Sequence, residues 1–344
     1  MTKLTITVVG AGITGLWQAY ALARRGHAVI VRDAGPEGGP GTASRYAGAM
    51  LAPYCEAEAA PPLVQQLGRE GLELWRAAYP GVIQRGSLVV TTARDRGELV
   101  RFARMTQGHR DVEAEELTSL EPEMAGRFPR ALFFAEEAHI SPRAALSFLI
   151  AEIRQRGGEV QFNDPVPEPI WQAAAAGEAV IDCRGFAGRS ALPELRGVRG
   201  EMAVLRAADI ALTRPVRLLH PRFPLYVVPW GDGLYMVGAT MVERDDMGAV
   251  TVRSALDLLG AAFAVHPGFA EAEIVELGAG VRPAFADNVP RISVRGRRIL
   301  VNGAYRHGYL LAPVLAEAVA DFIETGNTQH PLFAAPTTDT AEVR

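Results

Sequence analysis

Residues 5–33 read TITVVGAGITGLWQAYALARRGHAVIVRD, and this stretch decides the fold of the N-terminal part of the chain. An apolar run over residues 5–9 leads into a glycine-rich turn, and a helical pattern follows it. A second apolar run over residues 28–31 then ends close to an acid. This order predicts a strand, a tight turn, a helix and a parallel second strand, which together begin a doubly wound α/β domain.

Three glycines, Gly10, Gly12 and Gly15, have the spacing of a dinucleotide-binding turn. Gly10 would allow the tight turn, Gly12 would let the backbone approach a pyrophosphate, and Gly15 would let the helix pack close to the strand. The helix would begin at Ile13 and Thr14, where its free N–H groups and its positive dipole end favour phosphates. This turn therefore predicts a phosphate cradle.

The acid at the end of the second strand completes the pattern. Asp33 follows the glycine turn at about the twenty-residue spacing of such motifs, and its carboxylate could accept hydrogen bonds from a ribose. The complete unit predicts a bound dinucleotide, but it does not distinguish FAD from NAD.

Length and composition limit the remaining function classes. A chain of 344 residues with 49% hydrophobic and 22% charged residues is typical of about two globular domains. The net charge of −4 provides no basic surface, so we expect no nucleic-acid partner. Lys3 is the only lysine, which argues against catalysis through a lysine Schiff base.

Cysteine and histidine usage favours a reducing compartment without structural metal. The two cysteines, Cys55 and Cys183, cannot form a disulfide framework or a cysteine zinc site. The seven histidines show no metal-ligand spacing, so no metal is expected. No apolar run approaches the roughly 20 residues of a membrane span. We expect a cytoplasmic protein without a signal peptide or a membrane partner.

The order of predicted elements indicates two interleaved domains. Dinucleotide-type elements occupy residues 1–50, 139–197 and 280–330, and β segments with an antiparallel pattern lie between them. A hairpin is predicted from the strands at residues 225–230 and 234–239, which flank a Gly-Asp-Gly turn. A last amphipathic helix is predicted to begin near Leu311.

Four segments together give the chain its family resemblance. They are the N-terminal glycine motif; TASRYAGAML at residues 42–51; LYVVPWGDGLYMVGATM at residues 225–241; and the pair AGVRP at 279–283 and GAYRHGYLLAP at 303–313. In this order they resemble the FAD-dependent amino-acid oxidases of the D-amino-acid oxidase superfamily, and most of all the glycine oxidase branch associated with thiamine synthesis.

The resemblance implies a fold and a domain division. It implies an α/β fold, in which a Rossmann-type FAD-binding domain of the glutathione-reductase kind is interleaved with an α+β substrate domain that contains a mostly antiparallel sheet. The FAD-binding domain would comprise residues 1–82, 139–197 and 280–344. The substrate domain would comprise residues 83–138 and 198–279.

The resemblance also implies an activity. A small amino acid or amine, such as glycine, sarcosine or a small D-amino acid, would transfer a hydride from its Cα to flavin N5, with O2 as the acceptor. The products would be an imine or 2-oxo acid, ammonia and peroxide. The resemblance also implies that the reaction could supply thiamine thiazole synthesis. The sequence leaves two alternatives open, namely a D-amino-acid dehydrogenase that passes electrons to a quinone or carrier, and a flavin-binding sensor without turnover.

Four residues match the family's substrate-side positions. Arg282 matches the arginine that binds the substrate carboxylate, and a guanidinium suits that task because it can donate two parallel N–H···O bonds. Arg306 matches a second substrate-side arginine, Tyr226 an active-site tyrosine, and Met241 a pocket-lining methionine.

The cofactor contacts implied by the resemblance extend beyond the glycine motif. Val166 matches the position whose backbone meets the adenine, and the helix after the last segment would direct its positive end at the flavin. The predicted FAD-binding residues are Gly10, Gly12, Ile13, Thr14, Gly15, Asp33, Thr42, Ala43, Ser44, Ala47, Gly48, Ala49, Met50, Val166, Tyr305, Arg306, His307, Gly308, Tyr309 and Leu310.

Departures from the family pattern concern the cofactor. Asp33 stands where the family usually has Glu, and Arg184 follows the buried strand where the family has a small residue. Relatives that attach flavin covalently use a cysteine in the C-terminal region, whereas both cysteines here precede residue 200. Non-covalent FAD is therefore expected, and the sequence leaves homo-oligomerisation open.

Overall fold

A computed structural model describes residues 3–40, 42–167, 178–220 and 224–335. In chain order its strands are β1 (Thr5–Val9), β2 (Ala28–Arg32), β3 (Met50–Leu51), β4 (Ser87–Thr91), β5 (Arg110–Glu113), β6 (Arg130–Phe134), β7 (Ala138–His139), β8 (Glu159–Gln161), β9 (Glu178–Asp182), β10 (Arg196–Arg206), β11 (Val216–Leu219), β12 (Leu225–Gly231), β13 (Leu234–Gly238), β14 (Glu273–Ala284), β15 (Arg291–Arg295) and β16 (Arg298–Asn302).

Helices connect these strands and cover their faces. In chain order the α-helices of the described residues are α1 (Ile13–Arg24), α2 (Pro53–Glu56), α3 (Pro62–Ala78), α4 (Arg96–Met105), α5 (Ala114–Leu120), α6 (Pro142–Gln155), α7 (Val252–Val265) and α8 (Gly308–Thr325). The short helix α2, the strand β5 and helix α5 were not predicted from the sequence.

The first sheet has six strands in the order β15-β16-β9-β1-β2-β8. All neighbours in it pair in parallel except β15 and β16. Helix α1 packs against α6 and α8, and the buried rings of Trp17 and Trp75 meet edge to face at 4.9 Å between centroids. The carboxyl ends of β1, β9 and β16 lie side by side, which is where doubly wound sheets bind ligands.

The second sheet has eight strands in the order β14-β10-β13-β12-β11-β4-β6-β5. Its pairings are antiparallel except for the parallel pair β11 and β4. Helix α7 packs on β10 and β12. The two sheets confirm the predicted fold class, an α/β part interleaved with an α+β part whose sheet is mostly antiparallel. The domain boundaries stay a prediction.

The last helix, α8, begins at Gly308, three residues before the predicted start at Leu311. It contains Pro313 in its second turn. A proline has no N–H, so the carbonyl four residues earlier, that of Tyr309, loses its partner within the helix. The indole Nε1 of Trp75 donates to this carbonyl at 2.6 Å. A side chain from α3 thus satisfies the group that the proline leaves free, and the helix continues through it.

Candidate active site

A cavity of about 980 Å³ opens at the carboxyl ends of β1 and β9 and reaches the second sheet. Its volume lies at the upper end of the usual range for ligand pockets, roughly 300–1,000 Å³. All predicted site residues except Gly15 line it: Gly10, Gly12, Ile13, Thr14, Asp33, Thr42, Ala43, Ser44, Ala47, Gly48, Ala49, Met50, Val166, Tyr226, Met241, Arg282, Tyr305, Arg306, His307, Gly308, Tyr309 and Leu310.

The glycine turn is shaped by its neighbours. Gly10 has a φ of 103°, and a Cβ on it would lie 2.6 Å from the carbonyl oxygen of Cys183. A Cβ on Gly15 would lie 1.9 Å from the carbonyl oxygen of Gly10, so this glycine lets α1 pack against the turn although it is not part of the cavity wall. Only glycine fits these two positions.

Side chains hold the turn from two directions. The Asp33 carboxylate accepts from the backbone N–H of Ala11 at 2.7 Å and from that of Gly35 at 2.8 Å. The Ser44 hydroxyl accepts from the N–H of Ile13 at 3.0 Å. Asp33 was predicted as a ribose acceptor, and each of its oxygens retains a second lone pair for such a contact. Its bond to Ala11, which organises the cradle itself, was not predicted.

The predicted small-residue segment lines the cavity and contacts the second sheet at Tyr226. Ala49 has a φ of 51°, which is uncommon for a residue with a Cβ and is characteristic of functional sites. A Cβ on Gly48 would lie 2.7 Å from the ring of Tyr226. The backbone of this segment therefore contacts the predicted active-site tyrosine directly.

These features fit a dinucleotide. At the N-terminus of α1, Ser44 accepts from the amide of Ile13, and the N-cap residue Gly12 has no side chain that could bind the following amides, so this end favours a pyrophosphate. The same cavity wall includes the Asp33 carboxylate, Val166 and the second sheet's Arg282. A phosphate cradle and a half-buried cation thus share one continuous cavity.

Arg282 projects from β14 across the neighbouring strand. A Cβ on Gly200 of β10 would lie 2.1 Å from Nη2 of Arg282, so the guanidinium rests on bare backbone. Nη1 donates to the carbonyl oxygen of Thr240 at 3.2 Å. Burial lowers the pKa of Arg282; the nearby Tyr226 opposes this shift, and the positive charge of Arg306 adds to it.

Five arginines line the described wall of the cavity, and four of them pair with carboxylates. Arg101 pairs with Glu58 and Glu98, Arg184 with Asp182, and Arg217 and Arg306 with Glu56. Arg282 has no carboxylate partner among the described residues. Its remaining N–H donors are therefore available to a ligand anion.

Glu56 is the main site residue that sequence reasoning missed. Its Oε1 accepts from Nη2 of Arg217 at 2.9 Å and from Nη2 of Arg306 at 3.1 Å, although these partners lie far along the chain. Its Oε2 is enclosed and lies 3.5 Å from Nδ1 of His307. No local pattern marks Glu56 or Arg217, because only the tertiary fold brings α2, β11 and the turn before α8 together.

Opposing effects set the charges of this cluster. Burial alone would raise the pKa of Glu56, but Arg306, Arg217 and His307 outweigh it and hold the pKa far below its usual range. Burial lowers the pKa of His307 to about 4; Glu56 opposes this shift, and Arg306 and Arg217 reinforce it. At neutral pH the cluster therefore holds an ionised carboxylate and a neutral imidazole.

A second buried carboxyl anchors the helix that carries Glu56. Glu137 is fully buried and accepts from the backbone N–H of Cys55 at 2.7 Å and from the Ser87 hydroxyl. Burial raises the pKa of Glu137, although these hydrogen bonds oppose the shift. Because Cys55 precedes Glu56 in α2, this contact fixes the helix and with it the glutamate.

The exposed rim of the cavity is formed by Met241 and Tyr305. Met241 is about half exposed, and its sulfur lies 3.6 Å from both the Tyr305 hydroxyl and Nη1 of Arg306. Tyr305 has a φ of 47°, again a strained conformation at the cavity.

The unusual Arg184 is held in place by Asp182 at the end of β9. The two side chains form a bidentate pair at 3.0 and 2.9 Å, and the same carboxylate accepts from Arg298 at 2.7 Å. Burial alone would raise the pKa of Asp182, but the two arginines hold it below its usual value. The large side chain at this position is thus accommodated by an ion pair.

The described residues hold neither a metal-binding cluster nor a membrane-spanning helix. No group of three or more histidine, cysteine or acidic side chains in those ranges could hold a metal ion. No helix within the described part of the chain is long and apolar enough to cross a membrane.

Comparisons with known proteins agree with this geometry. The sequence profile of the family described as FAD dependent oxidoreductase, DAO, matches residues 5–322. A Rhizobium etli protein provisionally named thiamine biosynthesis oxidoreductase ThiO is 48% identical over 318 residues, which cover 92% of this chain and 95% of that protein. Glycine oxidase from Bacillus licheniformis is 28% identical over 353 residues, which cover 92% of both chains.

Solved structures show the same fold. Glycine oxidase from Bacillus cereus superposes with a TM-score of 0.80 at 20% identity, covering 96% of this chain and 97% of that chain. Iminodiacetate oxidase from Chelativorans superposes with a TM-score of 0.77 at 22% identity, covering 95% and 97%.

Proposed function

The chain belongs to the family of FAD-dependent oxidoreductases, and from that premise we propose that it oxidises glycine, sarcosine and small D-amino acids with O2 as the acceptor. It is an amino-acid oxidoreductase of the glycine oxidase and ThiO type. The products under this proposal are the imine or 2-oxo acid, ammonia and peroxide.

The observation that carries the proposal is the guanidinium of Arg282, which has no carboxylate partner among the described residues. Burial already disfavours the charged form of this side chain, so an anion bound beside it would gain from its charge. A carboxylate matches the fork of an arginine through two parallel N–H···O bonds. The expected anion is therefore the carboxylate of an amino acid. This group is bonded directly to the Cα that would be oxidised.

The residues of this chain would bind and orient the substrate, whereas bound FAD would supply the acceptor of the hydride, which carries both electrons of the oxidation. Arg282 would hold one end of the substrate, and the hydroxyl of Tyr226 would contact the same carboxylate. The ring of Tyr226 rests on the backbone at Gly48, so its position is fixed before the substrate enters. Met241 and Tyr305 would limit the access of water from the rim.

We propose that FAD is held without a covalent bond. The glycine turn with Gly10 and Gly12 would cradle the pyrophosphate, and Asp33 would contact the ribose. Both cysteines are buried, and burial raises the pKa of the Cys55 and Cys183 thiols well above the usual value, which keeps them protonated and unreactive. Acid precipitation should leave the yellow cofactor in the supernatant; colour in the pellet would contradict this.

A role in thiamine synthesis is supported by the Rhizobium etli relative, whose name assigns it to that pathway. The proposed reaction would supply the imine of glycine to a thiazole-forming step. Loss of the gene should then make growth depend on added thiazole, and thiazole-independent growth would refute the link.

Peroxide release tests the central proposal. The purified FAD-loaded protein should release peroxide and consume O2 when glycine, sarcosine or D-alanine is added. Reduction of an artificial dye or a quinone without peroxide would instead indicate a dehydrogenase. Bound FAD that none of these substrates reduces under anaerobic conditions would exclude both enzymes and leave a flavin-binding sensor.

A further inference from the structure

The Glu56 carboxylate has a position that substrate binding alone does not explain. It lies in the cavity wall and is nine-tenths buried, yet neither of its oxygens is available to a ligand. Oε1 already accepts from Arg217 and Arg306, and Oε2 is enclosed against His307. Glu56 therefore acts on the site through the two arginines that it holds.

Those two arginines would otherwise be strong receptors for anions. Arg217 and Arg306 both line the cavity, and each directs an Nη2 donor at Glu56. A carboxylate fixed within the protein competes for these donors without any loss of translational freedom, so a ligand carboxylate cannot easily displace it. Arg282 has no such competitor among the described residues.

We propose that Glu56 determines the charge selectivity of the site: by occupying Arg217 and Arg306, it leaves Arg282 to receive a single carboxylate, so the site accepts monocarboxylates and rejects dicarboxylates. This inference rests on the proposed function, because it assumes that the ligand of Arg282 is a substrate carboxylate. It assigns Glu56 a positioning role, in which the glutamate does not touch the substrate.

Glu56→Gln separates this role from a purely structural one. The amide retains an oxygen that can accept from the arginines, but it no longer neutralises them, so a second ligand carboxylate gains two cationic partners. The probes are malonate and malonamate, which have nearly the same size and differ in one carboxylate. Neither requires turnover, because their dissociation constants follow from the perturbation of the FAD absorption spectrum on titration.

In the wild-type protein malonamate should bind more tightly than malonate. In Glu56→Gln the ratio of the two affinities should shift towards malonate by about tenfold or more, as expected for one added charge-assisted contact. The matched control is Glu58→Gln, which removes a charge of the same sign from the cavity wall while leaving the pairing of Arg217 and Arg306 intact. An equal shift in both variants would mean that only the overall charge of the cavity matters, and it would overturn the proposal. An unchanged affinity ratio in Glu56→Gln would overturn it as well.

Arg306→Gln tests the proposal from the other side and remains usable if Glu56→Gln does not fold. With one cation fewer, Glu56 is less well neutralised, so discrimination against malonate should become stronger. If both probes instead lose affinity equally, Arg306 is itself a ligand of the carboxylate, and the proposal fails. Failure to oxidise glycine would refute the proposed substrate, whereas oxidation of glycine without this selectivity between the two probes would refute the inference alone.

Discussion

The guanidinium of Arg282 occupies the space in which a side chain at position 200 would begin. A Cβ on Gly200 would lie 2.1 Å from Nη2, 2.3 Å from Cζ and 2.4 Å from Nη1 of Arg282. Position 200 on β10 pairs with Gly280 on the adjacent strand, and Arg282 follows two residues later on the same strand. The absence of a side chain on one strand thus sets where the arginine of the next strand can lie.

Gly200→Ala should displace Arg282 without touching the cofactor cradle. We expect kcat/KM for glycine to fall by roughly 10- to 100-fold, because misplacing a binding group by about 1 Å has effects of this size. The FAD content should stay near that of the wild type. Gly260→Ala in α7 is the matched control, since a Cβ there meets nothing within 4 Å. Wild-type kinetics for Gly200→Ala would show that the contact with Arg282 does not position the guanidinium.

Arg282→Ala should lose the carboxylate contact. Removing one partner of a buried charge pair costs about 2–5 kcal/mol, which corresponds to a decrease in kcat/KM of roughly 30-fold to several thousand-fold. Arg282→Lys should restore little of the loss, because an ammonium cannot reproduce the guanidinium fork. FAD content measured by absorbance serves as the control. Full recovery by lysine would show that charge alone matters.

Asp33→Ala should weaken FAD binding and also destabilise the apoprotein. The substitution removes the acceptor of both the Ala11 and the Gly35 amides. These amides are partly buried, and leaving one unsatisfied costs up to about 1–3 kcal/mol, so the melting temperature of the FAD-free protein should fall. Asp33→Asn retains one acceptor oxygen and should have a smaller effect on both quantities. An unchanged FAD dissociation constant would show that Asp33 contributes nothing to the cofactor site.

His307 should make the free energy of unfolding depend on pH between 6.5 and 4. In the folded protein its pKa is lowered to about 4, whereas the unfolded chain has the ordinary value near 6.5. In this window the unfolded state binds more protons than the folded state. The contribution of His307 to stability is therefore fully present above pH 6.5 and is lost as the pH decreases towards 4. The loss attributable to His307 is about 3 kcal/mol.

Denaturant titrations of the wild type and of His307→Asn at several pH values check this. The stability difference between the two proteins should change between pH 7 and pH 4 and stay constant between pH 7 and pH 8. Some pH dependence should remain in the variant, because burial also lowers the pKa of His139 to about 4. Parallel curves for the two proteins from pH 7 to pH 4 would contradict the assignment.

Trp75→Phe should leave the Tyr309 carbonyl without a donor. The substitution keeps an aromatic ring but removes the N–H that lies 2.6 Å from this oxygen. We expect a loss of about 1–3 kcal/mol in the free energy of unfolding. Pro313→Ala provides a backbone N–H that could reach the same oxygen, so Trp75→Phe should cost less in that background. Additive effects in this double-mutant cycle would show that the two groups are independent.

The parts of the fold that depend on local pattern could be predicted from the sequence. The glycine turn, the strands beside it and the hairpin around Gly231 and Gly233 are determined by residues close together in the chain, and the structure contains them. The helix α8 begins at Gly308, three residues before the predicted start near Leu311, and it continues through Pro313. Its lost hydrogen bond is replaced by Trp75, a residue far away in the sequence.

The electrostatic arrangement of the site could not be predicted. Arg306 was expected to face the substrate, but its partner Glu56 lies 250 positions away. The partner of Glu56 on the second sheet, Arg217, occurs in a strand whose sequence shows no functional pattern. Pairings of this kind depend on how the two sheets are placed relative to each other, and no periodicity or spacing in the chain records that placement.

The glycine turn is held entirely by groups of the chain itself. Asp33 accepts from the amide of Ala11 in the turn and from that of Gly35 in its own loop, and Ser44 accepts from the amide of Ile13. The cradle is therefore preorganised, and the cofactor need not order it on arrival. We expect the apoprotein, once stripped of FAD, to take the cofactor up again in a single bimolecular phase whose rate rises linearly with FAD concentration, without the plateau that a slow rearrangement would impose.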